Sequence, residues 1–195
     1  MKKNLIIILF IAFALNVNAQ KKKSSNPKSI KSNNVLAKLD NITVEINKNN
    51  LNLYVINGKI NDSINVKKLN TTPTDVKLKS FSTKGNTLYL LTYSEKTLVQ
   101  NPNKTEDILT TNSDVLDLIS KSIIYSNVQK TTKITEKVYL DRLKNASETQ
   151  EKIRNEGFLF SLLPDGDISL NSKSKSNKLT YDSATKQYID FKKKK

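Results

Sequence analysis

The sequence contains no histidine and no cysteine, and these two absences restrict its chemistry more than any residue that is present. Without histidine a Ser-His-Asp triad cannot form, and the common catalytic zinc sites lose their usual imidazole ligands. Without cysteine there is no disulfide, no thiolate metal site and no thiol nucleophile. Acid–base catalysis near neutral pH would therefore have to use carboxylates, lysine or tyrosine.

Glycine is also scarce, with four residues in the chain. They form neither of the glycine-rich loops that cradle phosphates, so no nucleotide cofactor is predicted. No metal site is predicted either. The two aspartates of the turn 165–167 lack the further oxygen ligands of a calcium loop, and they predict a plain hairpin turn. A carboxylate pair of the glycosidase kind stays open, although no spacing selects two residues from Asp75, Glu95, Glu136 and Glu156.

The first nineteen residues have the three-part pattern of a cleavable signal peptide. Lys2 and Lys3 precede an apolar run from Leu5 to Leu15, and Ala19 supplies a small residue for cleavage. The run is shorter than the roughly 20 residues that a membrane-spanning helix needs. We therefore expect export to the periplasm, the outer cell surface or the medium. A short Lys-Lys signal without any cysteine in the chain favours a bacterial cell-envelope protein.

The strong positive charge is concentrated at the two ends of the chain. The whole sequence carries +15, but two lysines fall within the predicted signal peptide, five within residues 20–31 and four within 192–195, so residues 32–191 retain only +4. Only two of the 33 basic residues are arginine, the residue suited to bidentate recognition of phosphate and guanine, so specific nucleic-acid binding is not expected. Electrostatic contact with an anionic surface stays open, through Lys21, Lys22, Lys23, Lys192, Lys193, Lys194 and Lys195.

Residues of about 40–94 alternate between apolar and polar side chains, which is typical of strands. Ile42, Val44 and Ile46 form one such series, and Asn57-Gly58 is the strongest short signal for a hairpin turn. The aromatic and aliphatic run 87–93 predicts another strand. These patterns together predict an antiparallel meander.

The middle of the chain, about 105–156, is predicted to be helical. A helix is expected over Ala146 to Glu156 and ends at Gly157. Residues 128–143 fit a helix or a strand equally well. The first helical pattern has Ser113 as a possible N-cap, and its apolar residues are Ile108, Leu109, Val115, Leu116, Ile119 and Ile123.

Residues 158–191 return to hairpin patterns, so the predicted fold class is α+β with antiparallel sheet. The predicted organisation is a signal peptide (1–19), a flexible basic arm (20–34), one α+β domain (35–191) and a basic tail (192–195). Tyrosine on an exposed sheet face suits carbohydrate or protein contacts. The candidate binding residues are accordingly the tyrosines of predicted strands, Tyr54, Tyr89, Tyr93, Tyr181 and Tyr188.

These observations favour a small, exported, non-enzymatic binding or structural module of the bacterial envelope. Its partner would be an envelope component or another protein, since no catalytic residue set is present. The alternative is a carboxylate-only hydrolase that acts on an envelope or extracellular polymer. A third interpretation is a protein attached electrostatically to the cell surface by its two lysine-rich ends.

Overall fold

The computed structural model describes residues 35–57 and 59–191. The predicted signal peptide, the basic arm before Val35, Gly58 of the Asn-Gly turn and the tail 192–195 lie outside the described residues.

The described chain folds into three antiparallel sheets, each a simple meander in which neighbouring strands are consecutive in sequence. The N-terminal sheet contains β1 to β4, the central sheet β5 to β9, and the C-terminal sheet β10 to β13. The strands are β1 Val35–Leu39, β2 Ile42–Asn47, β3 Asn50–Asn57, β4 Lys59–Lys68, β5 Thr74–Thr83, β6 Asn86–Asn101, β7 Lys104–Asp117, β8 Ser122–Tyr139, β9 Ser147–Gly157, β10 Leu159–Leu162, β11 Ile168–Asn171, β12 Ser176–Asp182 and β13 Gln187–Asp190.

The central sheet is the middle layer of a three-layer arrangement. On β6, Leu91 and Tyr93 pack against the N-terminal sheet, whereas Leu88 and Leu90 pack against the C-terminal sheet. Successive side chains of a strand point to opposite faces, so the two outer sheets cover opposite faces of the central one. Two separate apolar cores result, one on each face.

The predicted helix in the first part of the middle region is wrong, because residues 104–117 form strand β7. Leu116 packs against the N-terminal sheet and its neighbour Val115 against the C-terminal sheet. A strand covered on both faces carries apolar residues at adjacent positions, so its sequence lacks the simple alternation of a half-buried strand. Ser113 is a buried strand residue rather than an N-cap, and Ile119 lies exposed in the turn before β8.

The predicted helix over Ala146 to Glu156 is also wrong, since Ser147–Gly157 is strand β9. This strand pairs with β8 over eleven consecutive positions without a register shift. Its side chains are exposed on both faces, so its sequence has no apolar alternation and resembles an exposed helix. The ambiguous stretch 128–143 falls mainly in β8, which continues to Tyr139.

The described chain is therefore all-β rather than α+β. Residues 35–57 and 59–191 contain no helix. The strands predicted within 42–66 and 87–93, and the hairpins after residue 158, are confirmed. Across residues 35–57 and 59–191, no helix has the length and apolar character needed to cross a bilayer.

Candidate functional site

Four strands of the central sheet continue beyond the two outer sheets, and we call this part the extension. It consists of residues 96–101, 104–110, 130–139 and 147–156. None of these residues except Ile134 is a buried apolar residue, and Ile134 belongs to neither core. The extension is thus a single-layered sheet, in which each strand is held mainly by its neighbours.

The extension has two different faces. On the face that the N-terminal sheet covers elsewhere, Thr132 and Ile134 of the inner strand β8 are buried, between cross-strand neighbours such as Glu106 and Arg154. On the opposite face, Leu98 and Ile153 lie exposed at the two ends of one row across the sheet. Ion pairs lie on these faces: Lys133 and Glu151 form an exposed pair between β8 and β9 at 3.1 Å, and Lys104 pairs with the half-buried Glu106 of the same strand at 2.7 Å.

Strand β9 forms an edge of the extension. Leu140 donates its N–H to the carbonyl of Ala146, and Lys137 donates its N–H toward β7, to the carbonyl of Asn103. Even-numbered β8 residues therefore hydrogen-bond toward β9, because backbone groups of a strand alternate in direction. With the continuous register, the N–H groups of Thr149, Glu151, Ile153 and Asn155 point away from β8, to the open side. In the described chain no strand pairs with that side.

A buried polar cluster marks the place where the covered part of the sheet gives way to the extension. The Lys67 ammonium of β4 contacts Glu95 Oε1 at 2.5 Å, and Asn112 Nδ2 donates to the same oxygen at 3.4 Å. Ser126 Oγ donates to Asp114 Oδ1 at 2.6 Å. Burial raises the pKa of Asp114 despite this hydrogen bond.

The same cluster includes Tyr93, whose hydroxyl is hydrogen-bonded to Asp114. Burial, followed by the negative charges of Asp114 and Glu95, raises the pKa of Tyr93 well above its ordinary value. Lys67 lies 5.9 Å from the centre of the Tyr93 ring. The hydrogen-bonding groups of the cluster are directed largely at one another, and this arrangement fixes the N-terminal sheet on the central sheet.

Of the other carboxylates singled out in the sequence, Glu136 and Glu156 are not brought together with each other or with Glu95 as a glycosidase pair. Glu156 lies opposite Lys130 in the β8–β9 register, and Glu136 is six residues further along β8, about 20 Å away. Glu95 lies three strands from Glu156 in the same row, about 15 Å away. Asp75 is exposed in β5. Paired catalytic carboxylates lie within about 10 Å of each other.

The five candidate tyrosines do not form a common surface. Tyr93 is fully buried and Tyr89 partly buried against the N-terminal sheet, and Tyr54 is partly exposed on β3. Tyr181 is fully buried in the other core, with the ring of Tyr188 centred 5.6 Å away. Burial raises the pKa of both Tyr181 and Tyr188. At least four of the five therefore contribute to packing between sheets.

The turn 165–167, between β10 and β11, is held by side chains of its own C-terminal sheet. Lys178 contacts Asp167 at 2.9 Å and Asp165 at 3.3 Å, and Tyr188 donates its hydroxyl to the carbonyl of Gly166 at 2.8 Å. These contacts fix the conformation of the turn. No group of three or more acidic side chains in residues 35–57 and 59–191 is arranged to hold a metal ion.

A shallow cleft of about 340 Å³ lies at the end of the molecule opposite the extension. Its walls are mostly hydroxyl and amide side chains, and no aromatic ring contributes to it: they are Ser120, Ser122, Ile123, Ile124, Thr185, Lys186 and Gln187. It lacks the apolar lining of a typical small-molecule site.

No family model matches the chain, and no curated protein or solved structure is similar to it. The candidate surfaces therefore follow from geometry alone. The lysines of the two ends, Lys21 to Lys23 and Lys192 to Lys195, lie outside the described residues. The extension could not be recognised from the sequence, because a strand exposed on both faces lacks the apolar alternation that reveals a strand.

Proposed function

We propose that this protein is an exported, non-enzymatic binding module of the bacterial envelope, and that strand β9 is its binding edge. The partner would add an extended segment to β9 and continue the central sheet, as in other cases of strand addition. The observation that carries the proposal is the long, regular open edge of β9, with four outward N–H groups in residues 149–155.

The charges of β9 favour a different protein over a second copy of this chain as the partner. Antiparallel self-pairing over nine or more residues would centre on position 151, 152 or 153, and would place Glu151 opposite Glu151, Lys152 opposite Lys152, or Lys152 opposite Arg154. Like charges directly opposite each other destabilise a strand pair. Charged side chains on edge strands are a common protection against self-association.

Substitution of one outward-facing residue tests the binding edge. Ile153→Pro removes an N–H that β8 does not use, whereas Ile153→Thr keeps this N–H and removes a similar amount of apolar surface. Both variants, with the unmodified protein, would be used to capture partners from the detergent-extracted envelope. We expect Ile153→Thr to retain the partner and Ile153→Pro to lose it. Equal recovery by both variants would contradict binding through β9.

Amide exchange in the recovered complex gives a second readout at residue level. The N–H groups of Thr149, Glu151, Ile153 and Asn155 should become protected when the partner is bound, whereas those of the alternate residues are already paired with β8. Protection that falls elsewhere, with β9 unchanged, would place the interface on another surface.

The export part of the proposal rests on the predicted signal peptide. Fractionation of the native cells, followed by N-terminal sequencing, should find a chain that begins near Gln20 outside the cytoplasm. A cytoplasmic chain with Met1 intact would contradict export, whatever the outcome at β9.

The second candidate function is the carboxylate-only hydrolase. The cluster of Glu95 and Asp114 favours it, because two buried carboxylates in different environments can divide acid and base roles. Turnover of a glycan panel by the purified protein, abolished by Glu95→Gln in a variant that still folds, would support this activity. No turnover across the panel would remove it.

A further inference from the structure

Two leucines are exposed at the far end of the extension. We call residues 140–146, which connect β8 to β9, the distal loop. Leu140 is 63% exposed and Leu143 is 79% exposed. Exposed leucines in a short loop keep apolar surface in contact with water, which is unfavourable, so a pair of them in one loop indicates a contact surface.

The distal loop holds these leucines in a defined conformation. Asp141 accepts hydrogen bonds from the backbone N–H of Asn145 at 3.1 Å and of Ala146 at 2.8 Å. Leu140 donates to the carbonyl of Ala146 at 3.0 Å, which closes the loop. These backbone hydrogen bonds lower the pKa of Asp141, so its charge is used within the loop.

Cationic residues flank the two leucines in sequence. The ammonium groups of Lys137 and Lys144 lie 5.3 Å and 5.4 Å from the centre of the Tyr139 ring. Arg142 lies between the leucines in sequence. From Lys137 to Ala146 the chain carries three positive charges and the single negative charge of Asp141, a net charge of +2.

The combination of exposed leucine, tyrosine and basic side chains is the chemistry of the membrane interface. Apolar side chains enter the boundary between headgroups and acyl chains, tyrosine lies at headgroup level, and lysine or arginine attracts anionic lipid. The extension also places the loop far from the outer sheets, because β8 from residue 131 to 139 spans about 26 Å. The loop can therefore reach a flat surface before the covered part of the molecule does.

We propose that the distal loop binds an anionic lipid surface, with Leu140 and Leu143 inserted between the headgroups. The lysines and Arg142 supply the electrostatic attraction. This site is separate from the proposed partner site on β9, and either can be wrong without the other.

Vesicle sedimentation tests the proposal with the mature chain, residues 20–195. Vesicles would contain phosphatidylcholine with an equal amount of phosphatidylglycerol, or phosphatidylcholine alone. We expect binding to the anionic vesicles and much weaker binding to the neutral ones. Leu140→Ser with Leu143→Ser should weaken binding about tenfold or more, since each leucine removes several buried CH₂ groups from water.

The matched control is Ile119→Ser. Ile119 is 82% exposed, but it lies in the turn between β7 and β8, at the opposite end of these strands. This variant should bind like the unmodified chain. If the double leucine variant also bound like the unmodified chain, the lysine-rich ends rather than the distal loop would carry the attachment, and the proposal would be overturned.

Fluorescence gives an independent measure of insertion, because the chain contains no tryptophan. Leu143→Trp places a single indole in the distal loop, and Ile119→Trp places one in the control turn. On addition of anionic vesicles we expect a blue shift, and quenching by brominated lipid chains, for position 143 alone. An unshifted spectrum at position 143 would overturn insertion even if the protein sedimented with the vesicles.

Discussion

Strand β6 passes through two environments, and its two halves differ in what holds them in place. In the first half, Leu88, Leu90, Leu91 and Tyr93 are buried alternately against the C-terminal and N-terminal sheets. In the second half, residues 96–101 are exposed and pair only with β7. The covered half is stabilised by burial of apolar area, whereas the extension depends on strand pairing and on continuity with the covered half.

This difference separates stability from binding within one sheet. A residue of the extension makes few contacts in the folded chain, so its side chain can be chosen for another molecule at little cost in stability. The open edge of β9 and the distal loop both lie in this part of the chain. The covered half holds the strands of the extension in register.

Matched leucines on β6 should show the largest contrast. Leu91 is fully buried, whereas Leu98 in the same strand is 56% exposed. We expect Leu91→Ala to lower the free energy of unfolding by about 2–5 kcal/mol, because it leaves a cavity between two sheets. Leu98→Ala should change it by less than about 1 kcal/mol. Urea unfolding would measure both; similar losses would show that something covers the extension.

Two glycines with nearly the same backbone conformation test the border of the extension. Gly157 ends β9 with φ of 81°, and a Cβ there would lie 2.3 Å from the carbonyl oxygen of Val128. Gly85 has φ of 80° and nothing within 4 Å of such a Cβ. Gly85→Ala should cost about 1 kcal/mol for the backbone alone.

Gly157→Ala adds displacement of β8 to the same backbone cost, so we expect a loss of about 2–3 kcal/mol. Thermal unfolding of the two variants side by side would measure the difference. If both lost the same amount, the junction between β8 and β9 would be looser than the structure indicates.

Gly157 also shows which parts of the fold could be predicted from the sequence. Gly157 was expected to end a helix, whereas it ends strand β9 with a positive φ, because the pattern could not tell the end of a helix from the end of a strand. The N-terminal meander was predictable because one face of β2 and β3 is buried, which produces clear alternation. Strand β9 has neither face covered, so its sequence has no pattern from which pairing with β8 could be predicted.

The candidate surfaces were predictable only in part for the same reason. Tyrosine in a strand was taken to indicate a binding face, yet burial depends on which sheet lies opposite, and that is a long-range property. Tyr93 lies under the N-terminal sheet and Tyr181 in the core of the C-terminal sheet. The distal loop carries a local signal, two leucines within a short basic segment, but Leu143 falls in the stretch 128–143, whose pattern fits a helix or a strand equally well.

Two aspartates of β7, one in the covered part and one in the extension, should differ in how they make stability depend on pH. Burial raises the pKa of Asp114 above its ordinary value of 3.8, so its ionised form is disfavoured in the folded state. The protonated form therefore stabilises the fold fully below about pH 3.8, and this contribution is lost as the pH rises through the raised pKa. Asp114→Asn lacks this titration.

We therefore expect the stability of Asp114→Asn, relative to the unmodified protein, to be higher at pH 7 than at pH 4. Any effect of the substitution on packing is the same at both pH values. Urea unfolding at both pH values would measure the change. The control is Asp107→Asn, an exposed residue of the extension, which should change stability by less than about 0.5 kcal/mol at each pH. An equal gap at both pH values for Asp114→Asn would contradict the effect of burial on this carboxyl.

The smallest expected effect on stability comes from Glu151 on the open edge, although its effect on association should be visible. Glu151 forms an exposed ion pair with Lys133, so Glu151→Gln should change the free energy of unfolding by less than about 0.5 kcal/mol. The same change removes the like-charge contact that opposes self-pairing of β9 centred on residue 151. In that register Glu148 of one copy faces Arg154 of the other, which favours pairing.

Sedimentation equilibrium should therefore find the unmodified chain monomeric and Glu151→Gln more strongly associated at the same concentration. Glu148→Gln is the matched control, since it also removes one negative charge but loses the favourable contact with Arg154, and it should not associate. If the unmodified chain already formed a dimer that Ile153→Pro disrupted, β9 would bind a second copy of this chain. The charge pattern would then not be protecting the edge for a different protein.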